Sequence, residues 1–148
     1  MIFIVSDHGG VDAKAHLVRW LKSHRVPVVD VGPACVQTGD DYPEWAARLA
    51  RQVQKTKKSM GLALCRSGIG MAMVANKFSG IRAAQAFTPS MAAQSRRDED
   101  TNILSLAADY HSQRELRAIV RAWLTTKYKP TVRFQRRLRE VRALDHGR

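Results

Sequence analysis

A chain of 148 residues with 45% hydrophobic content can bury one core and is too short for two ordinary domains, so we expect a single domain over residues 1–148. Its two cysteines, Cys35 and Cys65, form no Cys-x-x-Cys pair and lie near no histidine cluster, which argues against disulfide bridges and structural zinc. The formal net charge is +12, and the segment from His111 to Arg148 carries +8 of it, with eleven Lys or Arg residues against three acids. Such a segment suits either an anionic ligand or a solvated basic face.

Short apolar segments of strand length alternate along the chain with segments of helical period. The predicted strands run from Ile2 to Ser6, Val28 to Val31, Met60 to Cys65, Ile81 to Ala86 and Ile103 to Leu106. The predicted helices include one around Leu17 and Leu21, one opening at Pro43, then Met71 to Asn76, Met91 to Arg96, Arg114 to Thr125 and a basic helix after Pro130. This alternation predicts an α/β fold, a single doubly wound, Rossmann-like, five-stranded parallel sheet with helices on both faces and a C-terminal helix.

Ligands of such sheets bind beyond the carboxyl ends of the strands, so the residues after each strand are the candidates for chemistry. Cys65 ends an apolar strand and precedes a glycine-containing turn into a helix, a setting with unpaired backbone N–H groups that favours a thiolate. A cysteine at a strand end is otherwise a small buried hydrophobic residue. Gly68 and Gly70 favour the functional interpretation, because their backbone N–H groups can approach a phosphate or an enediolate oxyanion closely.

The first strand ends in a second polar junction, in which Asp7 and His8 precede two glycines. Asp7 could equally be a helix cap or an Asx turn. Together with Cys65 across the sheet, however, these residues supply a carboxylate, an imidazole and a thiol to one cleft. Proton abstraction next to a carbonyl group needs such a set, namely a base, a group that handles hydroxyl protons and donors for the oxyanion.

From Ile2 to about Arg137, the sequence resembles the type B ribose-5-phosphate isomerase family, which includes galactose-6-phosphate isomerase subunits and allose-6-phosphate isomerases. The motifs that carry the resemblance are Ser6-Asp7-His8-Gly9-Gly10, Asp41-Tyr42-Pro43, Cys65-Arg66-Ser67-Gly68-Ile69-Gly70, Ala75-Asn76-Lys77, Gly80-Ile81-Arg82, Asp100-Thr101-Asn102, and Arg133 with Arg137. Their order and spacing together identify the family, whereas any one of them alone would be weak.

The resemblance implies an isomerase without metal or cofactor in which Cys65 moves a proton between adjacent sugar carbons through an enediolate. By the same resemblance, Ser67 would handle a substrate oxygen, and the backbone of Gly68, Ile69 and Gly70 would hold the negative charge. Asp7 would contact the sugar hydroxyls, and Tyr42 would form a wall of the pocket. The phosphate would be held by His8, Arg133 and Arg137. The two arginines are spaced i, i+4, so both point the same way from one helix, and guanidinium groups bind phosphate bidentately. The resemblance also implies a homodimer, or a dimer of dimers, in which each subunit completes the other's pocket.

Four positions depart from the ribose-5-phosphate pattern. Asp98 stands where the family commonly has a ring-opening histidine, Glu99 replaces an asparagine, Arg66 replaces a glycine, and Asp109 replaces a phosphate-directed arginine. In one explanation Arg66 takes over the charge lost at Asp109 in a pocket reshaped for another sugar. In a second, ring opening is not needed, as for a four-carbon sugar phosphate. The third is a paralogue that has lost activity and binds a ligand or a partner.

Other classes of function are less well supported. The interpretation as a nucleic-acid-binding protein is supported by charge alone. Phe134 is the one aromatic residue after Tyr128, so this segment offers no platform on which bases could stack. A dinucleotide-binding oxidoreductase would carry its glycine turn after the first strand and an acid ~20 residues later. No segment approaches the ~20 apolar residues that span a bilayer, and the chain opens on a strand with no signal-peptide pattern, so we expect a cytoplasmic protein without a membrane partner.

Overall fold

The structure, a computed structural model, describes residues 1–36 and 39–145. The strands are β1 (Ile2–Ser6), β2 (Val28–Asp30), β3 (Met60–Cys65), β4 (Ala83–Gln85) and β5 (Ile103–Ala107). The helices are α1 (Val11–Ser23), α2 (Tyr42–Lys55), α3 (Ile69–Ala75), α4 (Pro89–Glu99), α5 (Gln113–Thr125) and α6 (Val132–Asp145), with short 3₁₀ helices at His8–Gly10 and Ala108–Tyr110. None of the helices in these ranges is long and apolar enough to cross a membrane. Arg148, part of the basic segment noted in the sequence, lies outside the described residues.

The strands form one parallel sheet in the order β2-β1-β3-β5-β4, which confirms the predicted doubly wound fold. From β1 the chain moves first to one side, to β2, and then crosses to the other side, to β3. The direction of winding therefore switches between β1 and β3, and the carboxyl ends of these strands flank the crevice where such sheets bind ligands. Ser6 pairs with Leu64 in this register, so Asp7 and Cys65 emerge side by side.

Helices cover both faces of the sheet, which explains why its strands are apolar runs without alternation. On one face, α1, α4 and α5 pack on the sheet through a cluster that includes Leu17 and Trp123, both fully buried. On the other face, α2 and α3 do the same through residues such as Leu49 and Met71. Burying a side chain of this size stabilises the fold by about 1.5–3 kcal/mol, so these two clusters fix the sheet that carries the loops of the crevice.

The largest differences in length between the predicted and the observed elements are in β4 and α4. Strand β4 is three residues long, because the backbone N–H of Arg82 binds the Asn102 side chain and its carbonyl oxygen accepts the N–H groups of Asn102 and Ile103 outside the regular ladder. Helix α4 is longer than predicted at both ends. The Thr88 side chain accepts the Met91 N–H and caps its start, which the apolar pattern alone does not reveal.

Helix α6 lies near the amino ends of β4 and β5, on the opposite side of the molecule from the crevice. The segment before it is held by a hydrogen bond from the Lys129 N–H to the carbonyl oxygen of Arg97, near the end of α4. Leu138, 4% exposed, packs in a cleft with Ile81 before β4, and the Asp145 carboxylate accepts the Gly80 N–H at 2.8 Å. The basic helix is therefore docked at the amino ends of the strands.

Candidate active site

The thiol of Cys65 is held by the backbone of the turn that follows it. Cys65 is 5% exposed, and its Sγ receives the N–H of Gly68 at 3.0 Å. Gly68 adopts a left-handed conformation with φ of 76°, and a Cβ atom there would lie 3.0 Å from the carbonyl carbon of Leu106. A glycine is needed at this position both for the conformation and for the close approach to β5. The N–H of Gly68 therefore fixes the position of the sulfur atom that the sequence predicts as the base.

Two polar side chains from neighbouring strands fix the same turn, and the sequence motifs identified neither. The Gln85 side-chain amide donates to the Ser67 carbonyl oxygen, and the Ser105 hydroxyl, fully buried, donates to the Gly68 carbonyl oxygen. A serine inside the otherwise apolar strand β5 was the one available signal for this role. With both carbonyl groups held, the peptide planes of the turn cannot rotate freely, so the N–H groups keep their directions.

The predicted oxyanion donors are engaged to different degrees. The Gly68 N–H binds the thiol, and the Ile69 N–H lies 3.3 Å from the Ser67 hydroxyl oxygen. The N–H of Gly70 has no protein acceptor in the part of the chain that the structure describes. The Tyr42 ring lies against Gly70, because a Cβ at Gly70 would be 2.6 Å from ring atom Cε2. The Tyr42 ring therefore covers the turn beside Gly70, whose N–H remains available to a ligand.

Asp7 reaches the same crevice from the end of β1. Its backbone N–H binds the Leu64 carbonyl oxygen at 3.2 Å, and its Oδ1 accepts the Gly9 N–H at 2.9 Å, so the residue does cap a short helix. The side chain is mostly buried, and burial raises the pKa of Asp7 although the Gly9 hydrogen bond and nearby His8 act in the other direction. A carboxyl group that is easier to protonate than usual can exchange protons with sugar hydroxyls.

His8 is fixed by Asp40, a residue that the sequence motifs did not identify. Oδ1 of Asp40 lies 2.7 Å from Nδ1 of the His8 ring and also accepts the His8 backbone N–H at 3.1 Å. Oδ2 accepts the Trp45 indole N–H at 2.8 Å. The hydrogen bond that Asp40 accepts from the His8 side chain raises the pKa of His8, with burial opposing this shift and the Asp7 charge adding to it. Burial acts to raise the pKa of Asp40, but the hydrogen bonds from His8 and Trp45 outweigh it and lower that pKa.

Arg66 and Asp109, two of the four departures from the family pattern, form an ion pair with each other. The Arg66 guanidinium lies 3.2 Å from Oδ2 of Asp109, and the Asp109 N–H binds the Arg66 carbonyl oxygen at 3.0 Å. Both side chains are largely exposed, so solvent screens the pair. The aliphatic part of Arg66 covers Gly9, where a Cβ would lie 2.6 Å from Cγ of Arg66. Arg66 therefore reaches the crevice, with its charge shared with Asp109.

The remaining predicted site residues lie at the other end of the sheet. Asp98 and Glu99 are in the last turn of α4, which leads into the amino end of β5, and Asp98 pairs with Arg97 at 2.8 Å. Arg133 and Arg137 are exposed on α6, and Arg133 lies over the Phe134 ring at 5.0 Å. In residues 1–36 and 39–145, neither arginine makes a hydrogen bond or ion pair with a residue of the crevice.

The two groups are separated by the length of the sheet. Gly61 pairs with Ile103 at the amino ends and Cys65 pairs with Ala107 at the carboxyl ends. These pairs are four residues apart, which is about 13 Å at ~3.3 Å per residue. One chain therefore gathers Asp7, His8, Tyr42, Arg66 and the turn after β3, and does not bring the residues of α4 and α6 to them.

No three His, Cys, Asp or Glu side chains converge as a metal site in the described ranges 1–36 and 39–145. The polar groups of the crevice are instead engaged with one another and with backbone N–H groups. This arrangement places a buried thiol beside a carboxyl group and a backbone N–H, with the His8 imidazole at the rim. These are the components for moving a proton next to a carbonyl group.

Comparisons with known proteins agree with this geometry. A family model for ribose/galactose isomerases matches residues 2–141. The ribose-5-phosphate isomerase B of Escherichia coli K12 is 33% identical over 142 residues, which cover 96% of this chain and 94% of that protein.

Solved structures are similar over almost the entire fold. The crystal structure of ribose-5-phosphate isomerase B from Mycoplasma genitalium with bound ribulose 5-phosphate gives a TM-score of 0.94 at 32% identity, covering 99% of this chain and 97% of that one. The Clostridium thermocellum ribose-5-phosphate isomerase B gives a TM-score of 0.94 at 31% identity, with the same coverage. The resemblance seen in the motifs is thereby confirmed, and the chain belongs to the ribose/galactose isomerase family.

Proposed function

We propose that this protein is a sugar-phosphate isomerase that interconverts an aldose phosphate and a ketose phosphate through an enediolate. The candidates for its substrate are ribose 5-phosphate with ribulose 5-phosphate, or a related pentose, hexose or tetrose phosphate. The observation that carries the proposal is the buried Cys65 thiol at the switch point of the sheet, 3.0 Å from a donating backbone N–H and beside Asp7. Family membership independently supports the same reaction class.

In the proposed reaction, the Cys65 thiolate removes a proton from the carbon next to the carbonyl group. The electrons of that C–H bond form the C=C bond of the enediolate, and the negative charge moves to the former carbonyl oxygen. The Gly70 N–H and the start of α3 are placed to stabilise this charge. The thiol then returns the proton to the neighbouring carbon, while a hydroxyl proton passes between the two oxygens with the help of Ser67 or Asp7. The sequence balances without an oxidant, a reductant or a cofactor.

We propose further that the working unit is a homodimer or a dimer of dimers. Arg133 and Arg137, the arginines expected to bind the phosphate, lie on α6 near the amino ends of the strands, whereas Cys65 lies at the carboxyl ends, about 13 Å farther along the sheet. A second copy that turns its α6 toward the crevice would complete the site. Twofold symmetry would then build two such sites, each from the crevice of one subunit and the α4–α6 end of the other. Asp98 and Glu99 would enter the partner's site in the same way.

The departures from the family pattern favour a substrate other than ribose 5-phosphate. Asp98 stands in place of the ring-opening histidine, and the Arg66–Asp109 pair, which is nearly neutral overall, stands in place of a free cation. A reshaped pocket and a substrate that needs no ring opening both remain compatible with this change. We rank an active isomerase above an inactive paralogue, because Cys65, Ser67 and their supporting hydrogen bonds are intact. A nucleic-acid partner has no support beyond charge, and a cytoplasmic location is part of the same proposal.

The test is a panel of pentose, hexose and tetrose phosphates incubated with the protein in D₂O. We expect isomerisation of at least one of them, with NMR showing deuterium at the carbon next to the carbonyl group. Ribose 5-phosphate and erythrose 4-phosphate are the informative pair. Erythrose 4-phosphate tests the explanation in which the substrate needs no ring opening, and ribose 5-phosphate tests whether the pocket still accepts the family's sugar. Binding without turnover or exchange for every member of the panel would support the inactive paralogue and overturn the proposed activity.

A further inference from the structure

Asp40 binds His8 in a way that leaves one ring nitrogen to a ligand. Its Oδ1 accepts the backbone N–H of His8 and is hydrogen-bonded to Nδ1 of the His8 ring. Its Oδ2 accepts the indole N–H of Trp45. The Asp40 side chain is 6% exposed, so these donors take the place of water around the carboxylate. A carboxylate clamped from three sides cannot turn away from the ring, so the ring of His8 keeps one orientation.

The orientation decides what His8 offers at the rim of the crevice. With Nδ1 on Asp40, the opposite nitrogen Nε2 has no hydrogen-bond partner in residues 1–36 and 39–145, and the side chain is 42% exposed. A neutral ring with its proton on Nδ1 would present a lone pair at Nε2, which repels the acceptor oxygens of a phosphate. A doubly protonated ring presents an N–H and a positive charge.

The groups facing His8 come from three parts of the chain. Asp7 precedes it on its own loop, Asp40 faces it from the loop before α2, and Arg66 passes Gly9 from the turn after β3 with its guanidinium on Asp109. Both nearby carboxylates favour the doubly protonated ring. Arg66, the cation that reaches this loop within residues 1–36 and 39–145, is paired with Asp109 and so opposes the doubly protonated ring only weakly.

We propose that Asp40 is a positioning residue that keeps His8 oriented and positively charged, so that its Nε2–H is the donor for the phosphate group of the substrate. The inference rests on the proposed function, because it assigns the role of a residue within the same site. The expected pH dependence follows from the sign of the shift. The Nε2–H donor is present below the raised pKa of His8 and is lost as the pH rises through it, so phosphate binding weakens there. Without the Asp40 charge, this weakening begins at lower pH.

The experiment compares the wild type with Asp40→Asn, which removes the charge and keeps the shape of the side chain. NMR titration of the histidine ring resonances, with His8 assigned through a His8→Gln variant, gives the protonation of His8 directly. Titration with inorganic phosphate gives anion affinity without reference to turnover. Steady-state kinetics from pH 6 to 9 with the best sugar phosphate give KM and kcat. Asp12→Asn is the matched control, because Asp12 is exposed in the first turn of α1 and makes no side-chain hydrogen bond in the described residues.

In Asp40→Asn we expect a lower pKa for His8, phosphate affinity reduced about tenfold at pH 7.5, and KM raised by about the same factor with kcat changed less than threefold. Trp45→Phe, which removes one hydrogen bond to Asp40 but keeps its charge, should give a smaller shift of the same sign. Asp12→Asn should match the wild type. An unchanged His8 titration or unchanged phosphate affinity in Asp40→Asn would overturn the inference. If the wild type isomerises no sugar phosphate, the proposed function fails, and the titration and phosphate binding still decide the role of Asp40.

Discussion

If each site is shared between two subunits, mixing two inactive variants should produce heterodimers that are active. Cys65→Ser removes the proposed base at the carboxyl ends of the strands, and the double variant Arg133→Ala with Arg137→Ala removes the proposed phosphate-binding pair at the amino ends. Because these groups lie at opposite ends of the sheet in one chain, each defect in a twofold dimer belongs to a different half of every site. In a heterodimer, one site therefore carries both defects and the other carries neither.

The magnitude follows from counting sites. Random exchange of subunits in an equal mixture makes about half of the dimers heterodimers, each with one intact site of two, so the mixture should reach about a quarter of the wild-type rate. The assay is isomerisation by the separate variants and by the mixture after subunit exchange, with sedimentation to establish the dimer. The control is Arg136→Ala with Arg139→Ala, which removes equal charge from exposed positions of α6 and should retain activity alone. A mixture no more active than its components, or a wild type that is an active monomer at micromolar concentration, would refute the shared site.

Three further predictions test the site itself. Cys65→Ser should lower turnover at least ~10²-fold, with the fold shown to be intact by circular dichroism. Cys35→Ser changes an exposed cysteine and should behave as wild type. If Cys65→Ser keeps turnover within a few-fold of wild type, Cys65 is not the base. Asp98→His combined with Asp109→Arg should raise ribose 5-phosphate turnover relative to the preferred substrate in steady-state kinetics. A wild type that already prefers ribose 5-phosphate would show that these departures are compensated. Gly68→Ala should destabilise the protein by about 1–3 kcal/mol in urea denaturation and reduce kcat, because its φ of 76° and the nearby Leu106 backbone leave no room for a Cβ; unchanged stability would count against the described turn.

Local pattern was enough to predict the fold. The apolar runs of β1 and β3 and the helical period between them are properties of the sequence itself, and both elements were predicted with their observed limits. Elements were misjudged where side chains from distant residues replace local pairing. Strand β4 begins later than predicted because Asn102 takes the backbone groups of Arg82, a contact that spans twenty residues.

The motifs also identified the central residues of the candidate site, since Asp7, Tyr42 and Cys65 do meet at one crevice. They could not identify Asp40 or Ser105, whose roles depend on hydrogen bonds to residues more than thirty positions away. No sequence period marks such a contact, because it exists only after the strands have paired.

What the sequence by itself determined was the fold class and the family, and it predicted the base. The tertiary structure alone decided which predicted residues share a cleft. In a parallel sheet, every strand points the same way. The loops that follow the strands therefore lie at one end of the molecule, and the carboxyl ends of the helices that lead into the next strands lie at the other. That is why Cys65 and Arg137, which both belong to the same motif set in the sequence, lie apart in the folded chain, and why we propose that they meet across two subunits.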